Sequence, residues 1–347
     1  MNKNDQGYGG ELHMKSCSRG RFSGFSWLSH AAGAAVLAAT VIMPGSLAAQ
    51  EYPGRKPVRM VVPFAPGGGT DLVARMFSQR LADMLDTTIV IDNRGGAGGS
   101  TGIEAVVRAT PDGYTLIFGA ASYATNAALY KLPYDPVRDI TAISLACLSG
   151  YLLTLHPGVP AATINELVAQ ARQKPGALNY GSSGVGGLAH LATELFADMS
   201  KIRMTHVPYK GTGPALSDLL GGHIQLMLGS IIATSPHVRA NRLRGIGVTT
   251  AKRSSQIQDI PAISEFIPGY EAVLWYGIWG PKNLPAHVVT RWNREVDALL
   301  KLADMRERMA KEGLEPAGGP PDAFQKILAS DIAKWTKIAR QANLRPQ

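Results

Sequence analysis

The stretch PFAPGGGTD, Pro63 to Asp71, follows the apolar run VRMVV and precedes TDLVARMFSQRLADML, in which Leu72, Val73, Met76, Phe77, Leu81, Met84 and Leu85 recur at helical spacing. A strand, a glycine-rich turn and a helix are therefore expected in succession. Such a turn aims backbone N–H groups and the positive end of the helix dipole at whatever lies before it, which favours an anion. It is not a phosphate loop, because Gly69 is followed by Thr70 and Asp71 rather than by the Lys and Ser or Thr of that pattern. It is not the dinucleotide fingerprint either, since Gly67 and Gly69 would require a glycine at Leu72. The purely structural alternative is a tight turn whose helix is capped by Thr70 or Asp71.

Outward from this turn the chain reads strand 58–62, helix 71–85, strand 88–92, the turn RGGAGGS, helix 101–109 and strand 114–118. This β–α–β–α–β order implies a parallel sheet. A second α/β pattern begins near Tyr151 with YLLTL, then TINELVAQARQ, opened by a capping box of Thr163 and Glu166. Strand LNY, the turn GSSGVGG and helix LAHLATELFADM follow, then strand MTHVPY, the turn KGTG, a helix begun by Pro214, and strand HIQLML. After strand LRGIGVTT and the aromatic segment VLWYGIWGPKNLP, two helices at about 286–312 and 321–342 close the chain. The economical topology returns residues after about 250 to the first domain. Residues 50–150 and 250–347 are then one lobe and 151–249 the other, with a cleft between them. Ligands of open α/β sheets bind beyond the carboxyl ends of strands, so PFAPGGGTD, GSSGVGG and YKGTGP are the candidate site loops.

The first 49 of the 347 residues read as an export signal: Lys15, Arg19 and Arg21 precede the apolar run Ala31 to Met43 and the small-residue site SLAAQ. Met14 reads as a more natural start than Met1, with residues 1–13 expected to be an overrun. The apolar run is too short to span a bilayer, and no cysteine follows the cleavage region to carry a lipid. A soluble periplasmic protein is expected. Its only thiol would be Cys147, because Cys17 belongs to the signal. Loss of the signal removes four basic and two acidic residues from totals of 35 and 26, leaving a net charge of +7. The basic residues are scattered and form no nucleic-acid motif, and RANRLR at 239–244 reads as a solvated face.

Chemistry is thin. GSSGVGG misses the nucleophile elbow, because Val185 stands two places after Ser183 where glycine is required. No HExxH, CxxC or close histidine pair suggests a metal, and no cofactor motif appears. An exported serine hydrolase using Ser183 with His190 is the rival from another class.

With PFAPGGGTD, LPYDPVRDI, SSGVGGLAHLATELF and VPYKGTGPALSDLLGG in view, the chain resembles the Bug-type extracytoplasmic solute receptors of tripartite tricarboxylate transporters from about Tyr52 onward. The resemblance implies the type II periplasmic binding fold, a small carboxylate ligand, no catalysis and no cofactor. It implies, where a transporter exists, delivery to two integral-membrane subunits. A monomer is expected, and a ligand sensor for a membrane receptor is a further alternative reading. Carried over, it points to Phe64, Ala65, Gly67, Gly68, Gly69 and Asp71 in the opening loop, flanked by Ser122 and Asn126. From the second lobe it points to Ser182, Ser183, Gly186 and His190, with Tyr209, Lys210 and Gly211. The family commonly has Ser at Gly187, Asp at Gln225 and Thr at Ala262, so the ligand of any one relative does not transfer.

Overall fold

A computed structural model describes residues 52–54 and 56–341, so the expected export signal, with Cys17, lies outside the described residues. The apolar run forms β1 (Val58–Val62), followed by α1 (Gly69–Leu85), β2 (Ile89–Asn93), α2 (Ser100–Val107) and β3 (Thr115–Ala120). β1 pairs in parallel with both β2 and β3, as crossovers through helices require. Next come α3 (Ser122–Leu129) and the ten-residue β4 (Ile140–Ser149). β4 is buried almost throughout, so it shows none of the alternation that marks a half-exposed strand.

The second pattern gives β5 (Tyr151–Leu155), α4 (Ile164–Gln173), β6 (Asn179–Ser182), α5 (Leu188–Ser200), β7 (Thr205–Pro208), α6 (Thr212–Leu220) and β8 (Leu226–Ser230). Thr163 caps α4 by accepting the Glu166 N–H at 3.2 Å, while the Glu166 carboxylate reaches back to the Ala162 N–H. α7 (Ile231–Arg239) comes next, carrying Pro236 inside it, then β9 (Arg244–Val248). The chain returns through β10 (Leu274–Pro281), α8 (Ala286–Leu299), α9 (Ala303–Lys311), β11 (Glu315–Pro316) and α10 (Pro321–Gln341). The single helix expected over 286–312 is thus two. No glycine or proline marks the break; Leu302 turns to an extended ψ of 132°, and Asp304 enters the first turn of α9, where a carboxylate suits the positive helix end.

Two mixed sheets result, ordered β11-β4-β10-β3-β1-β2 and β7-β6-β8-β5-β9. The chain passes between them twice, from Ser149 to Tyr151 and from Val248 to Leu274. Thr249 ties the two crossings together. Its Oγ1 accepts the Tyr151 N–H at 2.9 Å and donates to the Ala272 carbonyl at 2.7 Å.

Strand geometry sends adjacent residues of β10 to opposite faces. Trp275 packs against Phe324 and donates from its indole to Asp331 of α10, while Tyr276 faces the other way. In the second sheet's core, Tyr180, His206 and His190 form a stack, with the two imidazoles 4.0 Å apart. His190 accepts the Gly186 N–H on Nδ1, and His206 Nε2 meets Ser182 Oγ at 2.6 Å.

Burial holds the His190 pKa down at about 4, against an ordinary value of 6.5. Between those values the folded chain binds fewer protons than the unfolded one, so stability rises with pH across that window and falls as pH drops through it. Denaturant titrations should show a loss of about 3 kcal/mol from this histidine between pH 6.5 and 4. H190Q should remove this histidine's share of the slope and leave that of His206, which burial and then the neighbouring His190 hold down at about 3; an unchanged slope would mean that His190 is not held neutral by burial.

Candidate ligand-binding site

The loop between β1 and α1 is shaped by Asp71, which is 2 % exposed. Its carboxylate accepts the Gly67 N–H at 3.0 Å, the Asn93 amide at 2.9 Å and the Arg75 Nε at 3.0 Å. Burial pushes this carboxyl up, but the hydrogen bonds from Arg75, Gly67 and Asn93 and the charge of Arg75 outweigh it and hold its pKa below the usual value. Asp71 is therefore fully engaged as a brace inside the loop. Asn93 also donates to the Phe64 carbonyl at 3.0 Å, and Gly67 takes a left-handed φ of +81° that lets the chain double back.

A small cavity of about 10 Å³, on the scale of one water molecule, lies where this loop meets the second sheet. Four helices begin at its wall. Gly69 and Thr70 open α1, Ser122 opens α3, Thr212 opens α6, and Ser230 immediately precedes α7. The first hydrogen bond of the α1 ladder runs from Leu72 to Gly68, so the N–H groups of Gly69 and Thr70 have no partner within their helix. The remaining wall is Phe64, Gly68, Ala120, Tyr151, Ser183, Leu274 and Tyr276. Seven of these lining residues carry hydroxyls, and none of them is charged.

Two of the hydroxyls stand out. Ser230 Oγ and Tyr276 OH are buried and make no hydrogen bond of standard geometry, an expensive state unless a ligand or water completes them. Both lie against Gly69: a Cβ placed there would be 2.1 Å from Ser230 Oγ, 2.6 Å from Ser230 Cβ and 2.8 Å from Tyr276 OH. Burial pushes the Tyr276 phenol well above its ordinary pKa, so it stays a donor. Unpaired N–H groups, positive helix ends and unspent hydroxyls therefore converge on one uncharged point, an arrangement suited to a carboxylate.

Of the residues expected at the site, Phe64, Gly68, Gly69, Ser122 and Ser183 line this cavity. The others are placed around it. Ala65 donates its N–H across to the Lys210 carbonyl at 3.0 Å, and Gly211 packs against Ala65. Asn126 donates to the Gly98 carbonyl at 2.7 Å and abuts Gly186. Ser182 is spent on His206, and Tyr209 donates to Asp218 at 2.6 Å. Tyr209 and the exposed Lys210 instead border an outer groove of about 690 Å³.

His190, expected to face the cleft, is turned into the core stack, because its Nδ1 closes the Gly186 turn. No hydrogen bond joins it to Ser183 among the described residues, and no three metal-binding side chains cluster there. Thr70, Ala120, Tyr151, Thr212, Ser230 and Leu274 belong to the wall without having been selected from sequence; of the aromatic pair Trp275 and Tyr276, which sequence allows either to wall the cleft or to pack in the core, Tyr276 lines the cavity and Trp275 packs in the core. Thr212 and Ser230 carried a usable signal, since each is a hydroxyl beside a glycine at a strand-to-helix turn. Tyr276 was readable from the alternation of β10 once Trp275 is assigned to the core.

Gly69 belongs to the first sheet's side and Ser230 to the second's, so G69A should obstruct the contact between them without unfolding either. Alanine is no worse than glycine in a helix. Expected is an unchanged Tm with at least a tenfold loss of ligand affinity by calorimetry. A variant that binds normally would contradict the placement of the site.

Comparison with known proteins identifies the family. Residues 73–344 match the family model described as the tripartite tricarboxylate transporter family receptor. The chain is 37 % identical to Rpa4515 of R. palustris, solved with adipate, over 86 % of this chain and 100 % of that one, with a TM-score of 0.82. The periplasmic binding protein BugD is 32 % identical over 85 % and 100 %, also with a TM-score of 0.82. MatC from Rhodopseudomonas palustris, solved with bound malate, is 30 % identical over 83 % and 99 %, with a TM-score of 0.79. The two α/β sheets are those of a periplasmic binding protein, and the chain belongs to the tripartite tricarboxylate transporter receptor family, the Bug-type solute-binding proteins.

Proposed function

We propose that this protein captures a small carboxylate in the periplasm and delivers it to the two integral-membrane subunits of a tripartite transporter. Its lobes are residues 50–150 with 250–347, and 151–249, and they part to admit a ligand larger than the closed cavity. Residues 1–49 are the export signal, and the mature protein acts as a soluble monomer.

The observation that carries this reading is the uncharged cavity in which four helix starts meet the unpartnered hydroxyls of Ser230 and Tyr276. A helix start contributes about 0.3–2 kcal/mol toward an anion, and a hydrogen bond to a charged group about 1.5–3 kcal/mol. Micromolar affinity needs about 8 kcal/mol, which several such contacts supply together in an enclosed site. Adipate and malate in the two solved relatives are carboxylates, consistent with that chemistry.

The test is a thermal-shift screen at pH 7 that pairs acids with their primary amides, such as malate with malamide and adipate with adipamide. A bound acid at a hundredfold excess over Kd should stabilise by about 2.7 kcal/mol, and its amide should not. Stabilisation by amides or amines without stabilisation by any acid would overturn the proposal.

A further inference from the structure

Helix α5 begins without a cap of its own. Its N-cap is Gly187, which has no side chain to accept the first free N–H groups. The acceptor comes from the other sheet's side of the molecule: Ser122 Oγ receives the Leu188 N–H at 3.3 Å. Ser122 is 3 % exposed and opens α3, so its hydroxyl reaches α5 only when the two lobes are together. A Cβ at Gly187 would crowd Ser183 Oγ at 2.9 Å but would stand at ordinary contact, 3.8 Å, from Ser122 Oγ. Tyr151, at the first crossing between the sheets, lines the same small cavity as Ser122. Ser122 thus belongs to the cavity wall and bonds to α5 across it.

We propose that Ser122 is the closure latch of this receptor, a positioning residue that caps α5 in the closed state and lets the closed state form without ligand. This rests on the lobe-closing reading above. In an open molecule both partners turn to water. The capping hydrogen bond is therefore gained on closure alone, together with the Ala65 to Lys210 bond that crosses beside it. Such a residue sets how long a ligand stays without selecting which ligand enters. A direct ligand contact such as Ser230 does the opposite.

The two roles separate in one experiment. The only described thiol, Cys147, is buried, so spin labels at R108C and K174C, exposed and on opposite lobes, report the interlobe distance. The ligand-free protein should show a closed population whose ratio to the open one falls roughly fivefold in S122A, the size expected for a lost helix cap. In titrations with malate, adipate and succinate, S122A should weaken every acid that binds by the same factor, through faster release. A ligand-free protein with no closed population, an unchanged ratio in S122A, or a loss confined to one acid would overturn the latch. If no acid binds at all, the capture proposal fails while the ligand-free distances still decide the latch.

Discussion

Backbone must approach backbone for this site to exist. The loops on the two sheets' sides touch through glycines whose missing side chains would collide with the opposing main chain. A Cβ at Gly213 would lie 2.3 Å from the Pro66 carbonyl, at Gly98 2.4 Å from the Val185 carbonyl, and at Gly95 2.6 Å from the Lys210 carbonyl. These distances are shorter than real carbon contacts permit, so the seam closes only with glycine at those positions. Everything at the cavity follows from that approach, because four helix starts can face one point only if no side chains stand between them.

Holding an anion with neutral groups has a physical advantage over holding it with a buried cation. A lysine or arginine in so small a space would lose its hydration in every unliganded molecule. Peptide dipoles and hydroxyls carry a smaller penalty, and they are already oriented by the helices that bear them. The one buried carboxylate nearby, Asp71, is consumed by Gly67, Asn93 and Arg75 and serves to hold the loop in shape.

Much of this was legible in the sequence, and what was missed has physical reasons. PFAPGGGTD announced its strand, turn and helix because period, glycines and helix start agree at one place. β4 and α7 were hidden, the first by burial on both faces and the second by Pro236. The glycine loops were expected to carry the site and do border the small cavity, but sequence does not say which atoms of a loop look inward. Asp71 and His190 looked available and are spent on local hydrogen bonds. Tyr151, Ser230 and Tyr276 came from three separate strands, and only the folded topology brings them together.

The central claim is that neutral helix starts, and no charged side chain, hold the ligand's carboxylate. A high-resolution crystal structure with a bound acid tests this most directly. Its carboxylate oxygens should lie about 2.7–3.1 Å from the N–H groups of Gly69 or Thr70 and from the hydroxyls of Ser230 and Tyr276. A carboxylate paired instead with Lys210 in the outer groove, or with any arginine, would contradict it.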